Sequence, residues 1–219
     1  MTVGGLSVVQ ADIIRALADF DPPWTLTGGG ALVAAHLQHR HTRDLDLFWQ
    51  GRETLDPLVR RVISRLAGAG FEVEARVSEA SFARLAVTRG EESTVVDLVA
   101  DAVPVAEPPT RLEVAGVRIL VDTPHELLVN KLTTLLSRSE PRDLLDVKAL
   151  LDAGGDLRRA LTDAARKDGG LSALTLAWVL DGLPLLRLGA AAGFDESTVS
   201  ELDTFRAELA ARLSREGRP

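Results

Sequence analysis

Hydrophobic and polar residues follow two different periods along the first half of this 219-residue chain. Runs in which every second residue is apolar predict β-strands, and runs in which every third or fourth residue is apolar predict helices. The predicted helices cover residues 7–19, 30–39 and 55–68. The predicted strands cover residues 24–27, 44–49, 71–77, 82–88, 94–100 and the two arms of a hairpin within 111–120.

After residue 122 only the helical period remains. The junction is marked by T123-P-H-E126, which offers a threonine N-cap, a proline at the first helical position and a glutamate three residues after the cap. We therefore predict an α+β chain of two domains, with both strands and helices in residues 1–122 and a helical bundle in residues 123–219. The predicted helices of the bundle cover residues 124–138, 141–153, 156–168, 172–181 and 197–214.

Composition and charge narrow the class of protein. The chain is 46% hydrophobic and has no cysteine, which predicts a globular protein without disulfides or thiolate metal ligands. The N-terminus lacks the basic start of a signal peptide, and the late apolar stretch 173–180 is followed by Asp181, Pro184 and Arg187, so we expect a cytoplasmic protein without a membrane partner. A net charge of −7 argues against a general nucleic-acid coat, so any nucleic acid must be bound locally.

A glycine run follows the predicted strand that ends at Thr27. Gly28, Gly29 and Gly30 precede a helix, so backbone N–H groups are free there and no side chain blocks the approach of a phosphate. The run is neither a Walker A loop nor a G-x-G-x-x-G fingerprint. A plain turn is the alternative interpretation.

The segment D44-L-D46 puts two carboxylates on one strand. Alternation places Asp44 and Asp46 on one side and Leu45, Leu47 and Trp49 on the other. Two like charges about 6–7 Å apart repel each other unless a cation lies between them, and Mg²⁺ prefers such carboxylate oxygens together with substrate phosphates. The alternative is an edge strand with a solvated acidic side.

A third carboxylate, Asp97, is the single charge in the apolar strand T94-V-V-D-L-V-A100. A buried aspartate is costly unless it is paired or bound to a metal. Asp44 and Asp46 with a shared metal would supply that partner, whereas an exposed position at the sheet rim would remove the need for one.

The helical half contributes a second set of charged residues. Lys131 lies beside an apolar stripe on its helix, and Asp143 and Asp146 border an apolar seam on the next helix. These residues either take part in the active site or form an ion pair that locks the two helices together. A zinc site at His36, His39 and His41 is disfavoured, because no cysteine is present and Asp44 is the one acidic ligand nearby.

The combination of segments resembles a known enzyme superfamily. The segments are G28-G-G-A-L32, H39-R-H-T-R-D-L-D-L-F48, the strand with Asp97, E126-L-L-V-N-K131 and R138-S-E-P-R-D-L-L-D146. They resemble nucleotidyltransferases with a polymerase-beta-type core, and more narrowly the AbiEii/AbiGii and MenT nucleotidyltransferase toxins, over about residues 24–150. The chain departs from that family at Gly30, where a serine or threonine often follows the glycine pair.

The resemblance implies a polymerase-beta-like core, in which a mixed sheet is flanked by helices, followed by a C-terminal helical bundle. It implies transfer of a nucleoside monophosphate from a nucleoside triphosphate (NTP), with release of pyrophosphate. Asp44, Asp46 and Asp97 would hold Mg²⁺ or Mn²⁺ in this reaction. A tRNA 3′ end as acceptor, growth arrest and a separately encoded antitoxin partner are further implications.

The resemblance also suggests which residues bind the nucleotide. The three glycines, Arg40 and Thr42 would approach its phosphates, Lys131 would grip them as a catalytic residue, and Asp143 or Asp146 would complete the site. Two rival functions stay open: a small-molecule nucleotidyltransferase of the antibiotic-modifying type, and a non-catalytic nucleotide- or protein-binding module.

Overall fold

The computed structural model describes residues 2–3, 5–37, 40–138 and 140–217. The chain divides into two units, Met1–Thr123 and Pro124–Pro219. The junction predicted from the sequence, between residues 122 and 123, lies one residue earlier. The two-domain description of the chain stays a prediction, and each unit is described by itself below.

The first unit contains strands and helices in mixed order, as its two hydrophobic periods predict. Its elements in chain order are β1 (Thr2–Val3), β2 (Leu6–Ser7), α1 (Val8–Leu17), β3 (Thr25–Thr27), α2 (Gly28–Ala31), a π-helical stretch (Leu32–His36), β4 (Asp44–Gln50), α3 (Leu58–Gly68), β5 (Glu72–Ser78), β6 (Phe82–Arg89), β7 (Glu92–Asp101), β8 (Thr110–Val114) and β9 (Val117–Val121).

Among the described residues, seven of these strands form one mixed sheet in the order β5-β6-β7-β4-β3-β9-β8. The pairs β4–β7 and β3–β9 are parallel and the other neighbours are antiparallel. β1 and β2, which the sequence did not predict, form a separate two-stranded pair. The parallel contact between β4 and β7 joins strands that are far apart in sequence, and it positions the candidate site.

One side of the sheet is the core of the unit. Leu45 and Leu47 are fully buried and Trp49 nearly so, while the residues between them are half-buried, which confirms the predicted alternation of β4. Helix α1 packs against α3 and β7. It begins with a capping box, in which Ser7 and Gln10 each bond the backbone N–H of the other.

Two local predictions differ in their outcome. The hairpin turn is confirmed, since Ala115 and Gly116 both have positive φ, at 53° and 81°, as a tight two-residue turn requires. The helix expected at 30–39 instead begins at Gly28 and widens into π-helix at Leu32. Its expected end at residues 38–39 lies outside the described residues.

The second unit is helical in all its described elements, as predicted. The sequence did not predict α8, a short helix that follows a proline. The helices are α4 (Pro124–Ser137), α5 (Pro141–Asp152), α6 (Leu157–Lys167), α7 (Ala173–Asp181), α8 (Leu185–Ala191) and α9 (Glu196–Glu216). Among the described residues no single helix is long and apolar enough to cross a membrane, and α7 and α8 reach that composition only together, across a 73° bend.

Candidate active site

The register of the sheet brings the three predicted carboxylates into one area. β4 runs parallel to β7, with Asp46 opposite Asp97 and Asp44 opposite Val95. Neighbouring strands lie about 4.8 Å apart, and residues two apart on one strand share a side. Asp44, Asp46 and Asp97 therefore lie on the same side of the sheet, opposite the apolar core. Asp44 and Asp46 are half-buried and Asp97 is buried.

The glycine run begins where β3 ends. Thr27 pairs with Asp46 across the antiparallel β3–β4 contact, so Gly28 follows directly beside that carboxylate. Gly28 has φ of 59°, and a Cβ at this position would overlap the Asp46 carboxylate. The absence of a side chain at residue 28 therefore leaves the space that Asp46 occupies.

Gly30 has a different environment. Its φ is not positive, and an added Cβ would lie 3.3 Å from Leu26 Cδ1 and 3.4 Å from Leu45 Cδ2. A side chain at residue 30 would thus point into the core and away from the carboxylates. The hydroxyl that related proteins often carry after the glycine pair would be directed toward leucine side chains here.

These two environments predict a large effect of adding a methyl group at residue 28 and a small effect at residue 30. We expect Gly28→Ala to lower the free energy of unfolding by about 1–3 kcal/mol, because alanine is strained at positive φ, and to abolish nucleotidyl transfer by displacing Asp46. We expect Gly30→Ala to change that free energy by less than about 1 kcal/mol, because only flexible leucine tips must move. Urea unfolding and a transfer assay on both variants check this, and equal losses in the two would contradict it.

Arg40 and Thr42 converge on Gly29. A Cβ at Gly29 would lie 2.7 Å from Arg40 Nη2 and 3.0 Å from Thr42 Oγ1. Arg40 Nη1 also donates to the His41 carbonyl oxygen at 2.9 Å. A guanidinium beside a glycine without a side chain is an arrangement suited to a phosphate group.

Thr42 also fixes the start of β4. Its hydroxyl lies 3.1 Å from the Asp44 carbonyl oxygen and 3.2 Å from Asp44 Oδ1. The neighbouring residue Arg43 is held as well: Thr94 Oγ1 donates to the Arg43 carbonyl oxygen at 3.1 Å, and Gln10 Nε2 donates to Thr94 Oγ1 at 3.2 Å. These buried bonds hold the segment that presents the first carboxylate.

The partner of Asp97 is a residue that the sequence analysis missed. Arg84 on β6 donates from Nε to Asp97 Oδ1 at 2.8 Å and from Nη2 to Asp97 Oδ2 at 2.7 Å. The alternation of β6 puts Arg84 on one side of its strand, but nothing in the sequence specifies that β6 and β7 pair with Arg84 opposite Asp97. The buried charge of Asp97 therefore has a partner, and that partner is an arginine where the sequence analysis expected a shared metal.

The chemistry of the donor set fits a hard divalent cation. Asp44, Asp46 and Asp97 supply carboxylate oxygens, which Mg²⁺ and Mn²⁺ prefer, and glycine at residue 28 leaves room for the Asp46 carboxylate. Within the described parts of the chain no group of three possible ligands is preassembled for a metal ion. Both Asp97 oxygens accept hydrogen bonds from Arg84.

The predicted residues of the second unit form a buried cluster. Lys131 Nζ lies 2.6 Å from Asp143 Oδ1 and 2.8 Å from Asp146 Oδ2, and Arg138 Nε lies 3.3 Å from Asp143 Oδ2. Lys131 is 7% exposed, Asp143 2% and Asp146 0%. Burial lowers the pKa of Lys131, but the charges of Asp146 and Asp143 and their hydrogen bonds outweigh burial, so the pKa is raised and the lysine is charged.

The histidines give no support to the zinc alternative. His36 Nε2 donates to the Asp122 carbonyl oxygen at 2.8 Å, His41 is exposed, and His39 lies outside the described residues.

A mixed sheet with a D-x-D strand, a third aspartate on the adjacent parallel strand and a glycine turn against the first strand defines a nucleotidyltransferase core. The chain belongs to the AbiEii family: the family model for "Nucleotidyl transferase AbiEii toxin, Type IV TA system" matches residues 12–215. The predictions of that family and of nucleotidyltransferase activity are thereby confirmed. Among curated proteins no sequence matches the chain significantly.

Solved structures share the fold at low sequence identity. The nucleotidyltransferase toxin MenT4 of Mycobacterium tuberculosis is 19% identical, with a TM-score of 0.63 over 94% of this chain and 82% of that one. JHP933 of Helicobacter pylori is 20% identical, with a TM-score of 0.55 over 95% and 91% of the two chains. These similarities confirm the predicted fold class, an α+β nucleotidyltransferase core followed by C-terminal helices.

Proposed function

We propose that this chain transfers a nucleoside monophosphate from an NTP to a hydroxyl of an RNA acceptor, a tRNA 3′ end, and acts as the toxin of a toxin–antitoxin pair. We further propose that it requires Mg²⁺ or Mn²⁺, that a separately encoded protein antitoxin neutralises it, and that it acts in the cytoplasm, where NTPs and tRNA are present.

One observation carries the proposal. The parallel register of β4 and β7 aligns Asp46 with Asp97 on the side of the sheet that also presents Asp44. Gly28 lies against the same carboxylate, with Gly29 and Arg40 adjacent. A site for a triphosphate and its cations needs clustered carboxylates with a guanidinium close by. This part of the chain brings these groups together around the glycine run.

The residues have distinct roles in the proposed reaction. Asp44 and Asp46 would hold the divalent ions from one strand, and Asp97 would hold the ion nearest the acceptor hydroxyl from the next strand. Divalent ions bound there would neutralise the triphosphate and lower the pKa of the attacking hydroxyl. Gly28 and Gly29 would keep side chains away from the phosphates, and Arg40 would donate to them. Gly30 would contribute to this segment through its backbone, because its Cα hydrogen faces leucine side chains.

The remaining residues position or neutralise charge. Thr42 would keep Asp44 in its orientation through the bonds described above. Lys131 would contribute a positive charge to nucleotide binding, with Asp143 and Asp146 setting its orientation. These roles in the second unit come from the family resemblance and are part of the proposal.

Labelling with radioactive NTPs tests the function directly. Purified protein is incubated with Mg²⁺, each of the four α-³²P-labelled NTPs, and total tRNA, total protein or an aminoglycoside mixture in separate reactions. We expect label on tRNA that is lost when the tRNA 3′ end is blocked beforehand. A matched reaction with Asp46→Asn identifies label from contaminating enzymes.

Other outcomes select the rival functions. Label on the aminoglycosides alone would establish a small-molecule nucleotidyltransferase, to which the net charge of −7 is better suited than to broad RNA binding. Binding of NTP without transfer to any acceptor would indicate a non-catalytic module.

A further inference from the structure

The Arg84–Asp97 pair occupies the place where the proposed metal site needs a free carboxylate. Both oxygens of Asp97 are used, one by Nε of Arg84 and one by Nη2. Each oxygen keeps a second lone pair, but the guanidinium charge neutralises the carboxylate and weakens its attraction for another cation. A metal ion that binds Asp97 must therefore compete with Arg84 for the same carboxylate.

The pair extends a row of charges across three strands. Arg84 is opposite Asp97 on β6 and β7, and Asp97 is opposite Asp46 on β7 and β4. The guanidinium is therefore on the same side of the sheet as the carboxylates. Hydrogen bonding and charge from Asp97 are the largest causes of the raised pKa of Arg84, and the charges of Asp44 and Asp46 add to them.

The two partners differ in exposure. The Arg84 side chain is 47% exposed, whereas that of Asp97 is 9% exposed. The Arg84 guanidinium carbon lies 5.6 Å from the centre of the Phe82 ring, two residues earlier on the same strand. The exposed part of Arg84 leaves room for the guanidinium to move away from Asp97 toward solvent, and its contact with the Phe82 ring is already made in the paired state. Asp97 cannot reach water as easily and needs another cation when Arg84 leaves.

We propose that Arg84 is a positioning residue that takes the place of the divalent cation at Asp97 in the metal-free enzyme and competes with that cation for the carboxylate. The inference rests on the proposed function, because it assumes metal binding at Asp44, Asp46 and Asp97. Its consequence is that metal loading requires Arg84 to release both Asp97 oxygens. The arginine keeps three clustered carboxylates stable in the absence of metal and weakens metal binding in exchange.

Binding of Mn²⁺ to the full chain without nucleotide, followed by electron paramagnetic resonance, tests the competition independently of activity. We expect Arg84→Gln to tighten Mn²⁺ binding about tenfold, since the lost competitor made hydrogen bonds to a charged group. Arg84→Lys should have a smaller effect, because the charge is retained but the bidentate geometry is lost. Arg76→Gln is the matched control, since Arg76 is exposed, pairs with Glu74 on β5 and changes net charge equally.

A double-mutant cycle separates competition at Asp97 from a general effect of charge. In an Asp97→Asn background, Arg84→Gln should no longer alter Mn²⁺ affinity, because the contested carboxylate is absent. Thermal melting should show that metal-free Arg84→Gln is less stable than wild type and gains more from Mn²⁺. Unchanged Mn²⁺ affinity in Arg84→Gln, whether or not stability falls, would overturn the inference and leave Arg84 a structural partner.

The proposed function can fail separately. If wild type binds no Mn²⁺, or binds it equally well after Asp46→Asn, then the carboxylates are not the metal site and the proposed function loses its basis. If Asp46→Asn removes binding but Arg84→Gln changes nothing, only the inference about Arg84 is wrong. Arg84→Gln could also raise the KM for NTP while leaving Mn²⁺ affinity unchanged. This result would likewise overturn the proposed competition between Arg84 and the cation and would indicate that Arg84 binds the NTP.

Discussion

Replacing Asp46 by asparagine is expected to lower the rate of nucleotidyl transfer by about 10²-fold to 10³-fold, with the protein still folded. The amide is the same size as the carboxylate and fits beside Gly28, but it is neutral and a poorer ligand for a hard cation. The rate is measured by transfer of label from an NTP to RNA, and folding by circular dichroism and urea unfolding.

A matched control uses another aspartate on the same side of the sheet. Asp101 lies four residues after Asp97 on β7 and accepts a hydrogen bond from the Val103 backbone N–H at 2.9 Å. Asp101→Asn can keep that bond and should leave transfer within about twofold of wild type. Loss of activity in both variants would show a general charge effect.

The same variant has an expected result in cells. Expression of the wild-type chain should slow the growth of a bacterial host, and expression of Asp46→Asn at the same level should not. Equal growth with both proteins, at equal soluble expression, would contradict toxicity through nucleotidyl transfer.

Replacing Lys131 by methionine is expected to lower the free energy of unfolding by about 3–5 kcal/mol, because it leaves the buried carboxylates of Asp143 and Asp146 without their shared cation. The sequence alone allowed a lysine waiting in an open cleft, whose loss would hardly alter stability. Burial of all three side chains makes destabilisation the expected result. If Lys131 also binds nucleotide, transfer by the folded fraction should fall about 10²-fold as well.

Lys167 offers a control for the stability effect. Its ammonium pairs with buried Glu126 and also donates to Asn130 Oδ1 at 2.8 Å. Lys167→Met should therefore destabilise the protein comparably, yet the folded fraction should keep full transfer activity. A triple variant adds Asp143→Asn and Asp146→Asn to Lys131→Met and so removes the unpaired charges. If the triple variant regains stability but not transfer, Lys131 has both a structural and a catalytic role. Full activity of folded Lys131→Met would limit Lys131 to the structural role.

The difference in free energy of unfolding between wild type and Lys131→Met should depend on pH, because the pKa of Lys131 is raised in the folded protein. A lysine whose pKa is higher in the folded state contributes stability in full below its unfolded pKa of about 10.4 and loses it as pH rises through the folded value. The stability that the charged lysine contributes should therefore be constant between about pH 7 and pH 9 and decline only at more alkaline pH. Urea unfolding of wild type and Lys131→Met across this range measures it.

The local chemistry of the sequence predicted the separate parts of the site. The alternation of D44-L-D-L-F-W49 determined which side of β4 would be buried, and the isolated charge of Asp97 in an apolar strand showed that it needed a partner. These conclusions depend on the hydrophobic period and on the cost of burying a charge. Both can be judged from residues that are neighbours along the chain. The same applies to the positive-φ turn at Ala115-Gly116.

Strand pairing decided what the sequence left open. The partner of Asp97 is Arg84 because β6 lies beside β7 in one particular register, and Asp46 lies beside Asp97 because β4 pairs in parallel with the same strand. For Lys131 the sequence left open an active-site role or an ion pair between two helices. Its burial with Asp143 and Asp146 depends on how α4 and α5 pack, which the sequence does not specify. Shifting the register of β6 or β4 against β7 by one residue would preserve every local pattern in the sequence but would separate Asp97 from Arg84 or from Asp46. The sequence by itself therefore determined which residues need partners, and the tertiary structure determined which partners they have.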